Sequence, residues 1–281
     1  MSHSSGVPHW LRRLLPTGTP ATSIEPAATA AGVIRLEQLS VSYRHRLAVS
    51  HVSGSFAPGA LTAIVGPNGA GKTSLLSAIT GRLAPSSGAV LMPAALRQRL
   101  AWLPQHAHLE RGVPLRVQDV VALGLWRELG AFGGLRPEQL ARIEQALQAV
   151  GLADCAEQSV AALSAGQCQR MLFARVLVQD PAVVLLDEPF NAVDEDTTAA
   201  LVALLLRWRD EGRTIIAVLH DLALVRRIAD QILWLDQRCL AWGPTAEVLH
   251  SRALPAVEAH PALPGLAALS VPHAHHPQHG L

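Results

Sequence analysis

Gly66-Pro-Asn-Gly-Ala-Gly-Lys-Thr73 constrains this chain more than any other stretch. Five apolar, β-prone residues, Leu61-Thr-Ala-Ile-Val65, precede it, and Leu75, Leu76, Ile79 and Leu83 follow at the spacing of one helix face. Strand, glycine-rich turn and helix, in that order, predict a loop that binds phosphate. The glycines let the backbone curl until successive N–H groups point inward at phosphate oxygens. The helix starting near Gly71 aims its positive end at the same anion. Lys72 then reaches the β- and γ-phosphates, and the Thr73 hydroxyl meets Mg²⁺. Lys72 is the only lysine in the chain; the other basic side chains in the Lys+Arg total of 23 are arginines. A slim ammonium suits a nest of backbone amides where a planar guanidinium does not fit.

A length of 281 residues suits one large α/β domain with tails, or two small domains, and an apolar fraction of 49% supplies a full core. The net charge of +1 gives no electrostatic case for nucleic acid or an anionic membrane as the main partner. Cys155, Cys168 and Cys239 lie far apart and follow no metal-ligand spacing, which fits a reducing compartment without disulfides. No apolar run reaches the roughly 18 residues of a membrane span; Ala199 to Leu206 is stopped by Arg207. The expectation is a soluble or peripheral protein, for which any transport role needs separate membrane subunits.

Residues 1–32 are rich in Ser, Pro, Ala and Thr and read as a disordered tail. Arg12-Arg-Leu-Leu15 lacks the apolar stretch of a secretory signal. A domain is expected over 33–250, followed by a Pro/His-rich tail over 251–281. Val33 to Tyr43 alternates as one or two strands. Tyr43, the only tyrosine, lies where its ring could stack on a purine face; a strand-end tyrosine is the competing reading. Ala89 to Leu91 and Leu100 to Gln105 read as further strands. From about 106 to 178 the apolar spacing turns helical, as in Leu140, Ile143, Leu147 and Val150, interrupted at Gly130–Gly134. This segment reads as a helical subdomain inserted into an α/β core. Val183-Val-Leu-Leu186 has the length and apolarity of a buried parallel strand and ends in Asp187-Glu188. Thr214 to Leu219 ends in His220-Asp221, and Ile232–Leu235 with Cys239–Trp242 forms a final hairpin. Polar residues at carboxyl strand ends mark where open α/β sheets place their ligands.

The phosphate loop, Leu163-Ser-Ala-Gly-Gln167, the four apolar residues before Asp187-Glu188 and a histidine after the next strand resemble the nucleotide-binding subunit of ABC transporters, over about residues 33–250. The resemblance implies an α/β, P-loop NTPase core with a small antiparallel β subdomain and an inserted helical subdomain, hydrolysing ATP with Mg²⁺. It assigns the nucleotide to Tyr43, to Gly66, Pro67, Asn68, Gly69, Ala70, Gly71, Lys72, Thr73 and Ser74, and across a dimer to Ser164, Gly166, Gln167 and Asp194. Asp187, with Thr73 and Gln105, serves Mg²⁺; Glu188 is the general base, Gln105 senses the γ-phosphate and His220 steadies the attacking water. A head-to-tail homodimer sandwiching two ATPs follows, on the cytoplasmic face of the plasma membrane, bound to permease subunits and through them to an extracytoplasmic solute-binding protein; nucleic acid is not a partner. Two positions depart from the family pattern. Ala165 replaces the first glycine of Leu-Ser-Gly-Gly-Gln, which is tolerable where φ is negative, and Asn191-Ala-Val-Asp194 replaces Ser-Ala-Leu-Asp.

Glu188-Pro-Phe-Asn-Ala-Val-Asp194 and the short layout are similar to the zinc/manganese importer branch. His273, His275, His276 and His279 sit in a Pro/Gly-rich tail and could bind Zn²⁺; a functionless tail is the alternative. An importer of manganese or an iron-siderophore, an exporter, and a soluble ATPase of DNA repair or translation are the competing functions. The last of these resembles two cassettes per chain or a long coiled coil, and this sequence has neither.

Overall fold

The computed structural model describes residues 32–43, 46–105, 114–129, 134–191 and 193–251. The expected tails, the histidine cluster included, lie outside the described residues, as do 106–113 and 130–133.

Two sheets carry the fold. β1 (Ile34–Tyr43), β2 (Arg46–Phe56) and β4 (Ser87–Leu91) pair antiparallel in the order β2–β1–β4. The second has six strands: β3 (Leu61–Val65), β5 (Leu100–Leu103), β6 (Val183–Asp187), β7 (Thr214–Val218), β8 (Gln231–Asp236) and β9 (Arg238–Pro244), in the order β5–β6–β7–β3–β8–β9. All its pairings are parallel except the β8–β9 hairpin. Every residue of β3, β6 and β7 is buried. Their alternating side chains divide between two cores, because successive residues of a strand point to opposite faces. Val184, Leu186, Ile215 and Ala217 face one cluster, which includes the helices between β5 and β6. Val183, Leu185, Ile216 and Val218 face the other, shared with the antiparallel sheet. That second interface is closed by Trp242, which packs on Phe56 with ring centroids 4.7 Å apart. A Cβ on Gly54 would lie 2.5 Å from the Trp242 ring, so a glycine is required there.

The helices are α1 (Lys72–Ile79), α2 (Ala94–Gln98), α3 (Val117–Ala122), α4 (Trp126–Leu129), α5 (Pro137–Ala149), α6 (Ala165–Leu177), α7 (Glu195–Asp210), α8 (Leu222–Ile228) and α9 (Thr245–His250). α3 to α6 all fall between β5 and β6, and Phe173 of α6 stacks on Trp208 of α7 at 6.0 Å. Two sequence expectations need correction. The helix after the phosphate loop stops at Ile79 and does not reach Leu83, because Gly81 adopts φ 78 just past the Thr80 cap; Leu83 still packs on the core from outside the helix. On α5, Ile143 and Leu147 are buried, as is Val150 at its cap, but Leu140, in the first turn, faces outward and stays 50% exposed.

No helix among the described residues is long and apolar enough to cross a membrane.

Candidate functional site

β3 delivers the chain into the loop at Gly66, and α1 leaves it at Lys72. Gly66 and Gly71 are fixed by sterics. At Gly66, φ is 154 and an added Cβ would fall 1.9 Å from the Leu235 carbonyl oxygen. At Gly71, φ is 92 and a Cβ would fall 2.1 Å from the Ala48 oxygen. The loop is held from behind by a residue with no motif to mark it. Gln237, in the tight β8–β9 turn, donates its N–H to the Ala70 carbonyl at 3.0 Å and accepts from Ser50 N–H at 2.6 Å. Lys72 is 6% exposed, and its Nζ donates to the Gly66 and Pro67 carbonyls at 2.9 and 2.8 Å. Burial lowers its pKa, while Glu188 and Asp187 pull it back up.

Asp187 closes β6 with 1% exposure and no hydrogen-bond partner of good geometry for either carboxylate oxygen. Burial raises its pKa; the adjacent Thr73 hydroxyl opposes this, Glu188 adds to it, and Lys72 and His220 oppose it. An orphaned buried carboxylate beside a hydroxyl and a phosphate loop is an oxygen-only donor set. It fits Mg²⁺, which takes one or two protein oxygens and leaves its remaining positions to water and substrate phosphate. No group of three or more His, Cys, Asp or Glu among the described residues is arranged to hold a metal ion.

Three elements converge on Glu188. Its Oε2 accepts from Gln105 Nε2 at 2.6 Å, at the end of β5, and from Asn191 Nδ2 in its own turn. Its Oε1 pairs with His220 Nε2 at 2.6 Å, just past β7. The strand order β5–β6–β7 is what brings Gln105 and His220 to one carboxylate. Asn191 has no place among the sequence-derived site residues; the available signal was an amide three residues past the acid in a Pro-containing turn. Tyr43 ends β1, 53% exposed.

Ser164, Gly166, Gln167 and Asp194 form a second cluster. Ser164 caps α6: its Oγ accepts from Gln167 N–H at 3.2 Å, and Gln167 Oε1 accepts from Ser164 N–H at 2.9 Å. This reciprocal capping box satisfies two donors of the helix terminus. Ala165, the first residue of α6, is not among the positive-φ residues, so its methyl fits. Asp194 caps α7 by accepting from Thr197 N–H at 2.7 Å and Thr197 Oγ1 at 2.9 Å. Those bonds, the backbone one first, lower its pKa. A Cβ on Gly166 would sit 3.1 Å from Asp194 Oδ2, so the two helix starts touch.

A phosphate cradle at the end of β3, with a buried acid and a clamped glutamate at the end of β6, defines a P-loop nucleoside triphosphatase. The sequence matches the ABC transporter family over residues 49–191. It is 38% identical over 219 residues to a probable metal transport system ATP-binding protein of Chlamydia pneumoniae, covering 76% of this chain and 85% of that one. It is also 38% identical to the zinc transport system ATP-binding protein TroB of Treponema pallidum (78% and 84% covered). Identity is 34% to the manganese transport system ATP-binding protein MntB of Halalkalibacterium halodurans (77% and 88% covered). Among solved structures, one described as a metal-chelate type ABC transporter in an inward-facing conformation superposes with a TM-score of 0.72 at 26% identity, over 80% of this chain and 87% of that one. The chain belongs to the ABC transporter family and is an ATP-binding ATPase subunit of it.

Proposed function

We propose that the chain powers uptake of a divalent transition-metal cation, zinc in the first instance, by hydrolysing ATP on behalf of separate membrane permease subunits. The observation that carries this is the set of relatives named for metal, zinc and manganese transport, matched at 34–38% identity across most of their length. Manganese is the second reading, favoured by the relatives that bear its name. The working unit is a head-to-tail homodimer at the cytoplasmic face of the membrane, with an extracytoplasmic binding protein delivering the cation.

Each site residue then has a physical task. The loop amides and Lys72 hold the β- and γ-phosphates; Lys72 must exchange its two carbonyl acceptors for phosphate oxygens, a trade an ammonium with three rotatable donors makes easily. Mg²⁺ would be held by Asp187 and Thr73, with Gln105 beside them, and supplies charge neutralisation on the transferred phosphate. Glu188 takes a proton from water as the water oxygen attacks the γ-phosphorus and the bond to the β–γ bridging oxygen breaks, releasing ADP. His220 orients Glu188 through Oε1. Ser164, Gly166 and Gln167 complete the site of the other copy, their helix start directed at its γ-phosphate. Tyr43 stacks on the base.

Reconstitution with the permease and binding protein tests the cargo: ATPase stimulation should follow Zn²⁺-loaded rather than Mn²⁺-loaded binding protein. The reverse order would transfer the assignment to manganese. Stimulation by neither would remove the metal reading while leaving the ATPase intact. Truncation after Pro264 belongs in the same experiment. It should leave basal ATPase unchanged and remove any Zn²⁺ uptake by His273, His275, His276 and His279, to be measured by calorimetry on the full chain.

A further inference from the structure

Glu188 is held at both ends of its carboxylate, and its two oxygens are not held equally. Oε2 accepts two amide N–H groups, one from Gln105 and one from Asn191, while among the described residues Oε1 meets the His220 ring alone. An ionised carboxylate is acceptor-only and offers about two lone-pair sites per oxygen. Both sites on Oε2 are therefore filled, and one on Oε1 remains. The two amides also differ in attachment. Gln105 stands just past the end of β5, on a separate segment of chain. Asn191 belongs to the turn that begins at Glu188, and its backbone N–H donates to the Glu188 carbonyl at 3.3 Å. Glu188 itself has φ 51, a left-handed conformation uncommon for a residue with a side chain. The bend at Glu188 is followed directly by the turn that Asn191 closes.

We infer that Asn191 is a positioning residue of the hydrolytic reaction: by occupying Oε2 from within the same turn, it assigns Oε1 as the atom that takes the proton from the attacking water. The inference rests on the reading of Glu188 as general base. Gln105, on another segment, is free to turn to the nucleotide and its metal without releasing the carboxylate, because Asn191 keeps Oε2 engaged. The hydrogen bonds of Asn191 among the described residues go to Glu188 and not to the phosphate loop, so its contribution should fall on turnover and not on nucleotide binding.

The test uses the full-length protein with Asn191→Leu, Asn191→Gln, Glu188→Gln and the double variant Glu188→Gln/Asn191→Leu. Tm is recorded for each, ATP affinity is measured, and single-turnover hydrolysis is followed. Asn191→Leu should slow hydrolysis about 5- to 50-fold, less than the roughly 10²–10⁴-fold that a positioned base contributes, because the base itself is retained, with KM for ATP unchanged within about twofold. Asn191→Gln, which keeps an amide donor, should recover most of that rate. In the Glu188→Gln background, Asn191→Leu should add nothing, because residues acting through one group are not additive. The inference is overturned if Asn191→Leu turns over normally, if both Asn191 variants are equally slow, if KM rises with kcat unchanged, or if the two losses multiply. Wild-type turnover by Glu188→Gln is a separate result that removes the base assignment itself.

Discussion

Asp187→Asn separates what the site does for catalysis from what it costs the nucleotide-free fold. Asp187 is 1% exposed with both carboxylate oxygens unpartnered. Leaving a buried polar group without a partner costs about 1–3 kcal/mol, and more when it is charged. The amide has the same shape and leaves the same positions unpartnered, so what it removes is the added cost of burying a charge. The nucleotide-free variant should therefore be more stable than the wild type by about 1–3 kcal/mol. At about 2–4 °C per kcal/mol for a domain of this size, Tm should rise by about 2–12 °C. The interaction with the Thr73 hydroxyl is weakened and the attraction to Lys72 and His220 is lost in the variant; both oppose the gain, which makes the lower part of that range the expectation.

The pH dependence carries the same sign. Burial raises the folded pKa above the ordinary 3.8, so over the interval between the two values the folded state keeps a proton that the unfolded chain has released. The penalty is absent below 3.8, grows as pH rises through that interval, and is complete above the folded value. Wild type should lose stability relative to Asp187→Asn as pH climbs through the window, and the gap should then stay constant. Calorimetric scans with and without Mg²⁺–ATP complete the assay. Ligand should raise the Tm of wild type strongly and of the variant weakly, narrowing or inverting the order seen without nucleotide. A variant less stable than wild type at neutral pH, or one that gains as much from Mg²⁺–ATP, would refute the argument that an orphaned buried acid awaits a cation.

Lys72→Ala should abolish tight ATP binding with the fold retained by circular dichroism, and Lys72→Arg should not rescue it, because the ammonium sits in a 6%-exposed slot between two carbonyls; wild-type turnover by either variant would contradict this. Gly71→Ala places a methyl 2.1 Å from the Ala48 oxygen at φ 92. It should lower stability by about 1–3 kcal/mol from backbone strain alone and weaken ATP binding by displacing the start of α1; equilibrium unfolding and nucleotide titration measure the two effects.

The sequence made the catalytic row visible because its signal is local. A glycine-rich turn needs only its neighbours, and a fully apolar run such as Val183 to Leu186 can be read as a two-faced buried strand with the acid pair at its end. What stayed hidden depends on strand order. β5 lies beside β6 although their paired residues Leu103 and Leu186 are separated by the inserted helices, and only this adjacency puts Gln105 against Glu188 across 83 positions. No hydrophobic period encodes that choice. The support of the phosphate loop by Gln237 was invisible for the same reason: its contacts are backbone bonds, which carry no residue signature. The end of α1 was legible and was overrun, since Thr80-Gly81 is a helix stop and Leu83 continued the apolar spacing beyond it. Asn191 falls between the two cases. Its position was local, but its meaning required knowing that one lone pair on each oxygen of Glu188 was already taken by residues following β5 and β7, so the turn could be read from the chain and the division of labour between Oε1 and Oε2 only from the fold.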